Sequence, residues 1–552
     1  MVIDFLSTVK RLALGFMLVM VWAHTAQAQK PEWEKEGGIP NAEIEIVKDK
    51  KINLPPADRN FQKIAPRPVE PVRHDIVYEY RNIRFNTADF SPVIRPLKLK
   101  QEDIAKIYGN YISGGFGNYA SPYVEAYLNS RRDKNRFYGL HFFHHSFGTG
   151  PVDGKNSASS NSEVKLFGKS ITDDVTLSGD LNFRNRNGYF YGYAAGPEPS
   201  RGSIQQSYNT YAANVALENS KPGDLSYRIN GGVSYLTDQY HADEAEVSLG
   251  AKGDYRVSDQ SKIRLAVEYF FISRKDSATK YDGRNLLKVK PAYQFRPLEG
   301  LTVSVGLNFA AENDLGAKMH VYPNVYAEYA LAESVSAYAA LTGDIDKVTL
   351  HSLAQDNFWL GSNLAVIHTN RQAELLGGLK GKLTGKISFV TGVSSSNLQN
   401  LYSFRNTAAD QAKFEITYNK TTRFNLFGEL GFNPGENIKM TVRGDAYRYT
   451  TEAVYHRPRY RVAYTSSFNL FDKVWIGADL IAQGGMKAYN FADASTVTLP
   501  AAFDLNAKAD YFFSRRVSAF LKFNNILSNQ YQMFLNYPVR GFQVMGGVTC
   551  TF

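Results

Sequence analysis

The stretch Val175-Thr176-Leu177-Ser178-Gly179-Asp180-Leu181-Asn182-Phe183-Arg184 alternates without a break. In an extended chain Val175, Leu177, Gly179, Leu181 and Phe183 fall on one side. Thr176, Ser178, Asp180, Asn182 and Arg184 fall on the other. Period two belongs to the β-strand, whose successive side chains point to opposite faces. The pattern recurs down the chain. Leu301, Val303, Val305, Leu307 and Phe309 oppose Thr302, Ser304, Gly306 and Asn308. Ile438, Met440, Val442, Gly444 and Ala446 oppose Lys439, Thr441, Arg443, Asp445 and Tyr447. A soluble sandwich would turn the apolar face to a core. A membrane barrel turns it to lipid and lines its lumen with the polar face.

Length and spacing favour the barrel. The runs are about ten residues long, what a tilted strand needs to cross a bilayer, whereas soluble strands average nearer half that. The links alternate between short (130–135, 172–174, 220–224, 258–261, 297–300, 433–437, 471–473, 514–516) and long (148–160, 186–206, 273–285, 345–372, 395–411, 484–501). Short periplasmic turns and long external loops are the outer-membrane arrangement. Counting from residue 104 to 552 gives 22 strands, with 412–432 read as one long strand because splitting it would make the count odd. The expected fold is all-β: an antiparallel transmembrane β-barrel of about 22 strands over residues 104–552, preceded by a short proline-rich N-terminal arm.

The beginning of the chain sets the compartment. Lys10 and Arg11 precede an apolar run from Leu12 to Ala23, and Ala26-Gln27-Ala28 supplies a small-x-small cleavage site. Residues 1–28 therefore read as a signal peptide, with Gln29 the first mature residue. The sole cysteine is Cys550, so neither a lipobox nor an internal disulfide is available. Removing 1–28 leaves 61 basic and 52 acidic side chains, a charge of +9. An exported chain rarely meets nucleic acid. The basic balance suits a charged lumen or the anionic headgroups of outer-membrane lipid instead. After the leader no apolar stretch reaches 18 residues, so lipid is crossed only by a closed barrel. The 35 Tyr and 35 Phe against 4 Trp suit interfacial girdles. Residues 29–103 hold nine of the 21 prolines, including Pro55-Pro56 and Pro66-Arg67-Pro68. They predict a periplasmic or lumen-threading arm without long helices or central strands.

The end of the chain carries two further signals. Phe542, Val544, Val548, Cys550 and Phe552 share one face of a last strand. That pattern resembles the insertion signal read by the barrel-assembly machinery. Just before it, Phe520-Leu521-Lys522-Phe523-Asn524-Asn525-Ile526-Leu527, then Gln530-Tyr531, Tyr537-Pro538 and Gly541, resemble the last two strands of TonB-dependent receptors. The resemblance implies a 22-strand barrel, solute transport across the outer membrane, and a plug. This chain departs from it: the proline-rich residues 30–103, 74 in all, leave no room for a full plug. Glu43-Ile44-Glu45-Ile46-Val47 is only a faint likeness of a coupling box. The expectation is an outer-membrane barrel associated with solute transport. A passive porin and a non-transporting scaffold for secretion or surface assembly are the alternatives. So wide a lumen left open would be a large hole. Three stoppers are available: the arm, the link 345–372 folded inward, or a periplasmic or surface lipoprotein partner. Phe358, Trp359 and Leu360 beside Gly361 give that link an apolar patch that needs burial.

Nothing in the sequence points to an enzyme or a cofactor. His141 and His145 share a strand face but lie about 13 Å apart at strand rise, too far to ligate one metal. With Phe142, Phe143 and Phe147, and with His144 turned the other way, they predict an interfacial aromatic–imidazole belt. Ser146 beside His145, and Ser352 beside His351, are adjacent in sequence and point oppositely in a strand. No G-x-S-x-G or H-E-x-x-H occurs. Lys439, Arg443, Asp445, Lys508, Asp510 and Lys522 are the candidate lumen-lining charges, read as a neutralising ladder.

Overall fold

A computed structural model describes residues 108–552 apart from 132, 195 and 197. The expected leader and its cleavage site, the arm 29–103 and the segment 43–47 lie outside the described residues. The strands are β1 (Tyr111–Gly117), β2 (Ser121–Asn129), β3 (Arg136–Phe147), β4 (Ser159–Ile171), β5 (Val175–Tyr189), β6 (Gln205–Asn219), β7 (Leu225–Asp238), β8 (Asp243–Ser258), β9 (Ser261–Lys275), β10 (Arg284–Leu298), β11 (Leu301–Glu312), β12 (Lys318–Ala332) and β13 (Val335–Asp346). After the short helix α1 (Leu350–Asp356) come β14 (Thr369–Thr384), β15 (Ile387–Asn406), β16 (Phe414–Gly435), β17 (Ile438–Tyr449), β18 (Tyr460–Leu470), β19 (Val474–Gly484), β20 (Lys487–Asn490), β21 (Ser495–Thr498), β22 (Ala502–Phe512), β23 (Val517–Asn524), β24 (Gln532–Phe534), β25 (Tyr537–Pro538) and β26 (Gln543–Thr551). Two small hairpins, β20–β21 and β24–β25, stand in long loops. The other 22 strands form one antiparallel sheet, and β1 pairs with β26 to close it. Closure removes the free edges that lipid could not satisfy.

Exposure follows the alternation. Leu181 and Val233 are 57% and 53% exposed on the outer face, while Thr176 on the inner face is 4% exposed. The long 412–432 reading holds: β16 is one strand of 22 residues. The link 395–411 does not hold as a loop, because β15 continues to Asn406 and pairs with β16 as far as Asn406↔Phe414. The run Ser394-Ser395-Ser396-Asn397 is polar on both faces of the strand, so no period-two pattern marks it. A register shift between Leu398 and Leu401, with Asn400 at φ 54°, resets its alternation. The expected first strand at 104–114 is found at Tyr111–Gly117, and 104–107 are outside the described residues.

The closing seam is packed from inside. Gly115 of β1 faces Gly547 of β26, and Gly547 faces Phe520 of β23. The Phe520 ring covers both glycines: a Cβ on Gly547 would stand 2.3 Å from it, and one on Gly115 2.8 Å. Tyr123 meets that ring edge-on with centroids 5.9 Å apart, and Met545 completes the buried cluster. Phe542, Val548 and Phe552 lie exposed on the opposite, outward face, with Val544 half-buried beside them. The structure therefore predicts that Gly547→Val prevents closure, read as loss of the heat-modifiable folded band in electrophoresis. Phe520→Ala should retain the fold but lose about 3 kcal/mol of stability in denaturant titration.

Candidate functional site

The long-loop end of the barrel is not an open mouth. Between β13 and β14 the chain turns into the lumen, and its local sequence shows why. Thr349 caps α1 by accepting the Ser352 amide, and the Ser352 hydroxyl accepts the Thr349 amide in return. The wall adds a carboxylate at the same helix end. Glu244 of β8 accepts the amides of Leu350 and His351 at 2.7 and 3.0 Å, where the helix dipole favours negative charge. After Asn357 the helix stops and Phe358-Trp359-Leu360 packs inward. Trp359 stacks on Tyr537 at 3.9 Å, and its Nε1 donates to the Tyr189 carbonyl.

Arginines from the wall hold the rest of the loop by its carbonyls. Arg186 of β5 donates to Ala354 at 2.9 Å, Arg274 of β9 to Leu364 at 2.5 Å, and Arg284 of β10 to Val348 at 3.0 Å. Lys347 pairs with Glu246 of β8. Arg284 also grips Asp314 through two nitrogens, at 2.6 and 3.0 Å, and Asp314 accepts the His368 amide. A buried cluster then joins Tyr208 of β6, the loop residues Leu350, Leu353, Leu360 and Leu364, Phe404 of β15, Phe414 of β16, and Tyr537. β6 and β16 are ten positions apart in a ring of 22. A cluster that touches both spans the mouth. Of the link 345–372, residues 347–368 form the loop, and its apolar patch is packed away, with Leu360 only 2% exposed.

Beside this loop lies a cavity of about 490 Å³, between β3–β5, the β22–β26 wall and the loop, lined among others by His145, Phe147, Arg186, Phe358, Trp359, Tyr531 and Arg540.

Two loop histidines are held neutral. At His368, Nδ1 accepts the Val348 amide at 3.0 Å, with the Arg284 guanidinium 2.7 Å away. Burial first, then that guanidinium, lowers its pKa to about 3. His456 spans two loops: Nδ1 donates to the Phe404 carbonyl at 2.8 Å and Nε2 accepts the Leu535 amide at 3.2 Å. Burial lowers its pKa to about 4. Asp314 is also held below its ordinary value: burial opposes this, but Arg284 and His368 together outweigh it.

The lumen charges named from sequence do not join this site. Arg443 bridges Asp445 at 2.9 Å and Glu429 at 3.3 Å, and Lys508 pairs with Asp510 at 2.7 Å. Lys522 lies 4.3 Å over the Tyr123 ring, and Lys439 is exposed on the face of Arg443. The predicted lipid-interface belt is corrected. His141 and His145 share the inner face with Phe143 and Phe147; His141 stacks on Tyr127 at 4.1 Å, and His145 hydrogen-bonds Ser121. The lipid face takes Leu140, Phe142 and His144, and strand parity sends His141 and His145 inward. Ser352 is used in the helix cap. Among the described residues no group of three metal-ligating side chains converges.

No protein-family model and no curated protein matches this chain. Solved structures do. The FrpB iron transporter of Neisseria meningitidis (F3-3 variant) superposes with a TM-score of 0.63 at 12% identity, covering 81% of this chain and 82% of that one. The fold is that of the outer-membrane receptors. The ferric-catecholate import receptor Fiu of E. coli K12, closed form, gives 0.62 at 10% identity over 81% and 82%. The siderophore receptor PirA of Acinetobacter baumannii gives 0.61 at 10% over 80% of each. The resemblance read from residues 520–541 to TonB-dependent receptors thus holds as a likeness of fold, and the chain is an outer-membrane β-barrel.

Both histidines have folded pKa values below the ordinary 6.5, so their contribution to loop docking is complete above about pH 6.5 and falls as the pH drops towards 4 and 3. Each costs up to about 1.4 kcal/mol per pH unit in that window. Protection factors at the amides of Val348 and Leu535, corrected for the intrinsic exchange rate at each pH, should fall between pH 6.5 and 4.5. His368→Gln should flatten the first dependence and leave the second.

Proposed function

We propose that this protein is a gated transport barrel of the outer membrane, in which the loop 347–368 is a resident gate that a solute must displace. The observation that carries this reading is the buried cluster spanning from β6 to β16 across the mouth. Charge-assisted hydrogen bonds hold the loop to the wall, among them one from Arg186, two to Glu244, one from Arg274, one from Arg284 and one from Lys347 to Glu246. Such bonds contribute about 1.5–3 kcal/mol each. Together they make spontaneous opening rare, which favours a gated barrel over a passive porin. The cavity beside the gate loop supplies a place for the solute, and its ring-lined wall with a few polar groups has the character of a ligand site.

Planar-bilayer recording tests the reading. The intact protein should show brief, infrequent openings. Removing residues 350–366 should give a large steady conductance, and Glu244→Ala with Arg284→Ala should raise the open fraction at least tenfold. A large steady conductance from the intact protein would establish the passive porin instead. Unchanged conductance after the deletion would rule the loop out as the gate.

A further inference from the structure

Two guanidinium groups line the cavity beside the gate loop, neither of them in an ion pair. Arg540, in the last long loop, lies 4.0 Å over the Phe147 ring and donates to the Ser159 hydroxyl at 2.8 Å. Its Nε and the same Nη2 also reach the carbonyls of Thr149 and Ser157 at 3.4 Å. Arg186 lies 5.3 Å over the Phe358 ring and bonds the gate loop through Nη1 alone. Among the described residues no carboxylate stands within ion-pair distance of either. The one carboxylate in the lining, Asp504, accepts the Tyr531 hydroxyl through Oδ2 at 2.7 Å, and its Oδ1 is buried without a partner. Two other wall arginines at the loop end are matched: Arg284 by Asp314 and Arg274 by Asp276. A half-buried charge with neutral partners only is costly. Two of them facing one cavity, each backed by an aromatic ring, form a receptor for negative charge with flat apolar walls.

We infer that this cavity binds a small organic anion with a flat apolar body, its carboxylate or phosphate taken by Arg186 and Arg540 and its body by Phe147, Phe358 and Trp359. This deepens the gated-barrel reading by naming a ligand class for the cavity beside the gate loop.

Titration calorimetry on the purified full chain, with Trp fluorescence as a second readout, tests it with four probes: phenyl phosphate, benzoate, inorganic phosphate and benzyl alcohol. Phenyl phosphate and benzoate should bind at least tenfold more tightly than benzyl alcohol, and phenyl phosphate more tightly than inorganic phosphate. Arg540→Gln should weaken both aromatic anions at least tenfold and leave benzyl alcohol unchanged. Arg186→Gln should do the same, and because it also frees the Ala354 carbonyl, its folded band and conductance are measured alongside. Equal affinity for the neutral and charged probes, or binding untouched by Arg540→Gln in a folded protein, would overturn the inference. Conductance separates the two readings: an intact protein that conducts steadily yet binds phenyl phosphate through Arg540 loses the gate and keeps the site.

Discussion

Lipid offers no hydrogen-bond partner, so the first and last strands of this chain must find each other. Each of the other pairings in the sheet joins consecutive barrel strands, but the β1–β26 seam joins residues such as Ser113 and Thr549, 436 positions apart, whose hydroxyls meet at 2.9 Å. Loop-closure entropy makes such a contact the most expensive in the sheet to form. The glycine pair Gly115–Gly547 under Phe520 is the local answer: the strands approach without side chains between them, and one ring fills the space on the inner side. The ring size, the lumen and everything inside it depend on that closure.

A 22-strand lumen is too wide for wall side chains to fill, and the charges inside it divide by what surrounds them. Pairs on the open wall, such as Lys165 with Asp180 and Arg443 with Glu429, keep much of their exposure, and pairs of that kind contribute at most about 1 kcal/mol. At the loop end the same residue types are shut away from water, with Arg274 and Asp276 only 4% and 2% exposed. Breaking a buried pair by removing one partner costs about 3–5 kcal/mol. The exposed pairs lie along the open wall, and the buried set holds a loop in place.

Much of this was legible in the residues. Period-two runs and alternating link lengths give the barrel and its 22 strands, and Phe358-Trp359-Leu360 marks the loop that must be buried. The site itself was not. Parity tells that Glu244, Arg274 and Arg284 face inward, as it does for Lys439 and Arg443, but it carries no height along the barrel axis. Only height separates a lumen charge from a gate-holding one. Asp314 and His368 sit in separate loops, 54 positions apart, and no spacing rule joins them. The histidines of β3 failed for a related reason: an aromatic-rich strand suggests a girdle, but on β3 only alternate residues meet lipid.

The aromatic excess serves two purposes, and that bears on how the gate can move. Some rings face outward, among them Phe116, Phe142 and Tyr211. Others, including Tyr191, Phe358, Trp359, Phe404, Phe414, Phe534 and Tyr537, form or pack against a core at the loop end. That core is shared between loops. Trp359 stacks on Tyr537, the Tyr537 hydroxyl is held by the Ala412 carbonyl, and Phe534 packs against Phe414 and His456. Withdrawing Trp359 alone would leave Tyr537 unstacked and open a void beside Phe414, at a cost close packing does not allow in small steps. On the gated reading, the loops 347–368, 407–413, 450–459 and 525–542 would therefore move together, because packed cores switch between discrete arrangements rather than deform continuously.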